Sequence, residues 1–148
     1  ACKDYRKDLV RLNGRPWVSR THGRRWVNTF VSQEAVAAYN EGGALPEGAL
    51  VVKESFEDAG GKPSRKQGPL YVMRKGRIPG SPSTGGWEYA LKWEEPAAGN
   101  PEGFTQAVRL LPGDKGLASC VKCHNRFKST DYLGGIPEAG GAPSGGTP

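Results

Sequence analysis

The pentapeptide Cys120-Val121-Lys122-Cys123-His124 constrains this chain more than any other feature. On a helix its two thiols lie one turn apart and the imidazole follows at once. That spacing is the attachment signature of c-type haem. The thiols reach two vinyl groups as thioethers, and the adjacent histidine becomes an axial ligand of the iron. A chain so committed must offer a flat apolar slot beside a short helix. Two other chemistries use a Cys-x-x-Cys pair. A redox dithiol is expected in a βαβ context, which the surrounding residues do not supply. A tetrahedral zinc site needs further ligands, which distant Cys2 or His22 would have to provide.

Twenty-four residues follow His124, and none is Met or His. A sixth protein ligand would therefore come from upstream, from Met73 or His22. Met73 lies mid-strand, where methionine usually fills core. His22 precedes Gly23 in a basic turn and reads as structural or exposed. The expectation is an iron open on its distal side. Open haem binds small diatomic or nitrogenous molecules, whereas six-coordinate haem mainly passes electrons.

The remaining residues favour short elements. Twenty-two Gly and 12 Pro among 148 residues argue for many turns and against coiled coils or helical repeats. Tyr5, Leu9 and Leu12 have helical spacing, with a stop at Asn13-Gly14. Residues 24–31 alternate as a strand, and Ser32 caps a short helix through Tyr39. Residues 49–56 and 70–75 read as two more strands, with 58–68 as a connecting loop. Trp87, Tyr89, Leu91 and Trp93 recur at period two, the clearest half-buried strand. Ser119 is a cap for a helix carrying the cysteine pair. The fold class is α+β, mostly β: an antiparallel sheet with a few short helices and haem packed against the sheet.

No apolar stretch approaches the roughly 18–20 residues that cross a bilayer. No apolar signal region is present, so an exported chain is expected to be already mature. Covalent c-type haem implies assembly outside the cytoplasm, hence a bacterial periplasmic protein. Charge is uneven: residues 1–25 carry a net +6, which is the whole chain's net charge. Such a segment can steer an acidic protein or anionic lipid, or form a solvated face. Nucleic acid is not expected, since no finger, recognition-helix or RNP pattern accompanies the charge. Cys2 stands apart from the pair and, with the basic N-terminus, leaves membrane attachment open.

Four ordered segments carry a family resemblance: Pro46 to Glu54 (PEGALVVKE), Leu70 to Lys75 (LYVMRK), Gly86 to Tyr89 (GWEY) and Cys120 to His124, followed by Asp131. Together they resemble the cytochrome P-460 family and the related cytochromes c′-beta, over about residues 21–133. The resemblance implies a largely antiparallel β fold, often a homodimer, with five-coordinate iron and His124 as proximal ligand. P-460 members oxidise hydroxylamine and join a lysine covalently to the porphyrin. Members of c′-beta type keep ordinary c haem under an apolar cap and bind nitric oxide.

Lys53 falls on the position resembling that lysine. On a strand it shares a face with Ala49, Val51 and Ser55, while Leu50, Val52, Glu54 and Phe56 point the other way. The expected site is then one haem c bound by Cys120, Cys123 and His124, with His124 on the metal. Lys53 and Asp131 are the expected catalytic residues, and Lys53, Phe30 and Phe56 the expected contacts to the cofactor. Hydroxylamine oxidation wants a carboxylate near the open site, and Glu54 faces away from Lys53. The expected partners are a small nitrogenous ligand and a redox protein. The alternative is an electron-transfer subunit of a larger membrane-associated complex. The organisation reads as a basic helical segment over 1–20, a haem domain over 21–137 and a Gly/Pro-rich tail over 138–148.

Overall fold

The structure is a computed structural model that describes residues 5–76, 84–92, 108–110 and 114–136. Among the described residues, eight strands build one antiparallel sheet: β1 (Val10–Arg11), β2 (Trp17–Ser19), β3 (Arg25–Val31), β4 (Leu50–Asp58), β5 (Pro63–Gln67), β6 (Leu70–Lys75), β7 (Trp87–Lys92) and β8 (Val108–Arg109). The spatial order is β1-β3-β4-β6-β7-β8. β2 also pairs with β3, and β5 with β4. The helices among the described residues are α1 (Tyr5–Asp8), α2 (Val36–Glu41) and α3 (Lys115–His124). Short 3₁₀ turns span Arg20–His22, Gln33–Ala35 and Asn125–Thr130. The expected mostly β architecture is what the chain adopts.

The register sets the two faces. Thr29, Lys53, Tyr71 and Leu91 form one rung across β3, β4, β6 and β7. Val31, Val51, Met73 and Tyr89 form the next. Because side chains alternate along a strand, both rungs lie on one face. Val31, Val51, Met73, Trp87, Tyr89 and Leu133 are buried together in the larger core, with Cys120 and Val121 of α3 packed against it. The opposite face carries a smaller core of Tyr5, Phe30, Val52 and Leu70. Tyr5 meets Phe30 edge to face, with ring centroids 5.1 Å apart.

Local expectations are corrected in four places. The helix expected over 5–12 stops at Asp8, and Val10 pairs instead with Val31. The described part of the expected 1–20 segment, residues 5–20, is not all helical, because β1 and β2 add to the same sheet edge. The loop expected at 58–68 contains β5, a polar strand against the end of β4. The cysteine-bearing helix begins after Asp114, so Ser119 lies inside it. Trp93 and the 138–148 tail lie outside the described residues.

Candidate functional site

A cavity of about 480 Å³ is lined by sheet residues Lys53, Tyr71, Met73 and Tyr89, by Cys120, Cys123 and His124 of α3, and by the Thr21-His22-Gly23 turn. Its size falls within the range of about 300–1,000 Å³ usual for cofactor sites. Lys122 and Arg126 stand among its lining residues, both exposed. Basic side chains at such a rim suit the acid groups of a flat, otherwise apolar cofactor.

His124 ends α3 and is buried. Its Nδ1 lies 2.6 Å from the carbonyl oxygen of Tyr132. A carbonyl only accepts, so Nδ1 carries the proton and Nε2 keeps a lone pair. Burial, and then the charge of Lys53, push the His124 imidazole down to about 4, while the Tyr132 carbonyl acts in the opposite sense. The ring leans edge-on against Tyr89, with centroids 5.5 Å apart. Burial pushes the Cys120 thiol up, keeping it neutral. Both Cys120 and Cys123 are free thiols and partly buried. Among the described residues, no three His, Cys, Asp or Glu side chains group as a metal cage.

The turn after α3 presents the Tyr132 carbonyl. Asp131 and Tyr132 both have left-handed backbone, with φ of 52° and 65°. Such conformations persist for non-glycine residues only when surrounding contacts hold them. The contacts here are specific. Asp131 Oδ2 accepts from the Leu45 amide at 2.8 Å. Its Oδ1 pairs with Lys75 Nζ, and its carbonyl accepts from Trp87 Nε1 at 2.9 Å. The Tyr132 ring covers Gly85, where an added Cβ would run into the ring. Asp131 does not line the cavity. It was expected as a catalytic residue; the structure places it outside the cavity lining, with its carboxylate paired to Lys75 and the Leu45 amide.

Lys53 faces the cavity and is only 9 % exposed. Burial pushes its amine down to about 8, with the neighbouring Cys123 acting weakly upward. Its Nζ lies 5.8 Å from the centroid of the Trp17 ring. Lys53 therefore meets Cys120, Cys123 and His124 at one site, from a strand 62 residues or more away in sequence. Phe30 and Phe56 do not. They were expected as cofactor contacts, but both belong to the opposite face, Phe30 opposite Val52 and packed on Tyr5. Strand parity excludes them, since Phe56 is three residues from Lys53. Tyr71 and Tyr89 are the aromatics that line the cavity.

His22 was read as structural or exposed, and the structure corrects that. It lines the cavity. Burial first, then the charges of Lys53 and His124, push it down to about 2. Nothing in the local sequence signals this, because its approach depends on β2 pairing with β3. No carboxylate is among the described lining residues. Glu54 is buried on the far face.

No curated protein matches the chain. The family model described as Cytochrome P460 matches residues 3–133.

Proposed function

The chain belongs to the cytochrome P460 family and is a c-type haem protein; from that premise we propose that it is a periplasmic monohaem cytochrome with an open iron that oxidises hydroxylamine. The observation that carries this reading is Lys53, a desolvated amine that faces the cavity beside the cysteine pair. A lysine so placed is hard to explain as a solvent-reaching edge residue.

The residues present fit haem. Cys120 and Cys123 would form the two thioethers, and the lone pair on His124 Nε2 would be the proximal donor. Lys122 and Arg126 suit the propionate carboxylates. Haem bound here would supply the metal that holds the nitrogen ligand and passes its electrons to a redox partner. The chain's own residues do the rest. Asp131 and Tyr132 fix the proximal imidazole. Tyr71, Tyr89 and Met73 give the floor and exclude water. Desolvation favours neutral Lys53, the form whose nitrogen keeps a free lone pair toward the cavity.

Peptide mapping of the haem-bearing protein tests this reading. The expected product is one haem peptide joining Lys53 to the Cys120–Cys123 segment, with a strongly red-shifted Soret band. Lys53→Leu should restore an ordinary c-type spectrum and abolish hydroxylamine oxidation. A free Lys53 peptide with rapid nitric oxide binding would make the protein a gas-binding cytochrome instead. A low-spin, six-coordinate spectrum would make it an electron carrier. No helix among the described residues is long and apolar enough to cross a membrane.

A further inference from the structure

We propose that His22 is the distal proton acceptor of the cavity, taking the proton that a small protic ligand sheds as it binds opposite His124. The assignment rests on reading the cavity as a haem site with an open iron.

Position comes first. His22 reaches the cavity from the 3₁₀ turn Arg20–His22, on a different element from Lys53, Tyr71, Cys120, Cys123 and His124. Its ring packs edge-on against Tyr71, with centroids 4.6 Å apart. His124 packs the same way against Tyr89. Tyr71 and Tyr89 belong to neighbouring rungs of one sheet face. Rungs on one face are two residues apart, roughly 7 Å along a strand. Two imidazoles thus stand over adjacent rungs of the same floor, with Lys53 on the rung of Tyr71.

The ring is also oriented. His22 Nδ1 lies 2.7 Å from the hydroxyl of Ser19, which is itself buried, and 3.3 Å from that of Thr21. Both hydrogen bonds use Nδ1. Nε2 makes none among the described residues and is left for the cavity. With Nδ1–H donated to Ser19, Nε2 is an acceptor.

The chemistry selects this residue by elimination among the described groups. The groups that face His22 are Lys53 from β4, Tyr71 from β6 and His124 from α3. Burial raises the Tyr71 phenol, so it stays protonated and cannot accept. His124 already gives Nδ1–H to Tyr132, and its Nε2 is the metal donor. Lys53, if joined to the porphyrin, is spent; that bond also removes a positive charge that disfavours a protonated His22. Glu54 and Asp131 point elsewhere. Burial keeps His22 neutral in the cavity, so the Nε2 lone pair is free; the imidazolium formed on proton transfer is offset by the ligand anion left beside it.

Cyanide provides the test. Near neutral pH it arrives as HCN and binds ferric haem as CN⁻, so its proton must go to a base in the site. In the ferric holoprotein, His22→Leu should slow cyanide association about 100-fold, in line with loss of a positioned general base. Carbon monoxide binding to the ferrous protein needs no proton transfer and should change less than about threefold, at equal haem content. Ser19→Ala keeps the imidazole but frees its Nδ1, and should slow cyanide by a smaller factor. If His22→Leu loads haem poorly, His22→Gln, which accepts a hydrogen bond but holds no proton, is read in its place. Unchanged cyanide rates overturn the proposal. So does equal slowing of carbon monoxide, which would mean a steric role. So does a low-spin wild type that turns high-spin in the variant, which would make His22 an iron ligand. Slowed cyanide in a protein that never oxidises hydroxylamine keeps His22 and removes the nitrogen-oxidising reading. Hydroxylamine oxidation with unchanged cyanide rates does the reverse.

Discussion

Lys53 and Glu54 are neighbours on β4, both buried, and point to opposite faces of one sheet. Their surroundings differ completely. Glu54 Oε2 accepts from the Tyr5 hydroxyl at 2.6 Å and from Arg6 Nε and Nη2 at 3.0 and 2.7 Å. Its Oε1 accepts from Asn28 Nδ2 at 2.8 Å. Lys53 has the Trp17 ring at 5.8 Å and, among the described residues, no hydrogen bond. A buried charge persists cheaply only when paired and hydrogen-bonded. The Glu54 face follows that rule and is structural. The Lys53 face breaks it, and departures from it mark sites kept for chemistry.

The largest effect tests whether the Lys53 face holds a cofactor at all. Replacing both Cys120 and Cys123 with Ala should leave haem extractable by acidified organic solvent, apart from any fraction bonded to Lys53. Full retention in a double variant that also carries Lys53→Leu would end the comparison. Next, the two neighbours should respond oppositely to truncation. Glu54→Ala takes the acceptor from the Tyr5 hydroxyl and the Asn28 amide and removes the carboxylate that Arg6 pairs with, and should cost about 3 kcal/mol in urea unfolding. Lys53→Met replaces a desolvated amine by an apolar chain of similar length, and should be neutral or stabilising by about 1 kcal/mol. Similar losses in both would show that Lys53 too is structural.

A smaller effect sharpens the cavity side. Asp131→Ala leaves the Leu45 amide without its acceptor and takes the carboxylate from Lys75, which keeps the Gly85 carbonyl, and should cost about 2 kcal/mol. It should also shift the iron–histidine stretch in the ferrous Raman spectrum, because the Tyr132 carbonyl loses its support. A loss of stability with an unmoved stretch would separate Asp131 from His124. The smallest effect is a slope. His22 is held far below its ordinary value in the folded protein, so the unfolded chain binds one more proton. Stability should therefore be fully present above about pH 6.5 and fall as pH drops from there toward 2. His22→Leu should flatten that limb in acid titrations of the melting temperature.

Much of the fold was legible because it obeys period two. The apolar alternation of β7 and the β-branched residues of β3 and β4 place those strands within a residue or two. Parity alone puts Lys53 and Glu54 on opposite faces. The same parity puts Phe56 with Glu54, so its expected cofactor contact was already in conflict with the alternation. β5 was not legible, because an exposed edge strand of Pro63, Ser64, Arg65, Lys66 and Gln67 is held by backbone pairing and needs no apolar pattern. His22 was not legible either. It reaches the cavity through pairing between Trp17–Ser19 and Arg25–Val27, and no local spacing encodes that approach.

The hydrogen bond from His124 to Tyr132 has a consequence for redox behaviour. A histidine whose Nδ1–H leans on a carboxylate gains anionic character and pushes electron density through Nε2. Tyr132 offers a neutral carbonyl instead, so that push is weaker. A metal held by this imidazole is poorer in electrons, and its reduced form is correspondingly easier to reach. With haem bound, the left-handed pair Asp131 and Tyr132 would thereby act on the reduction potential of a centre that neither side chain needs to touch.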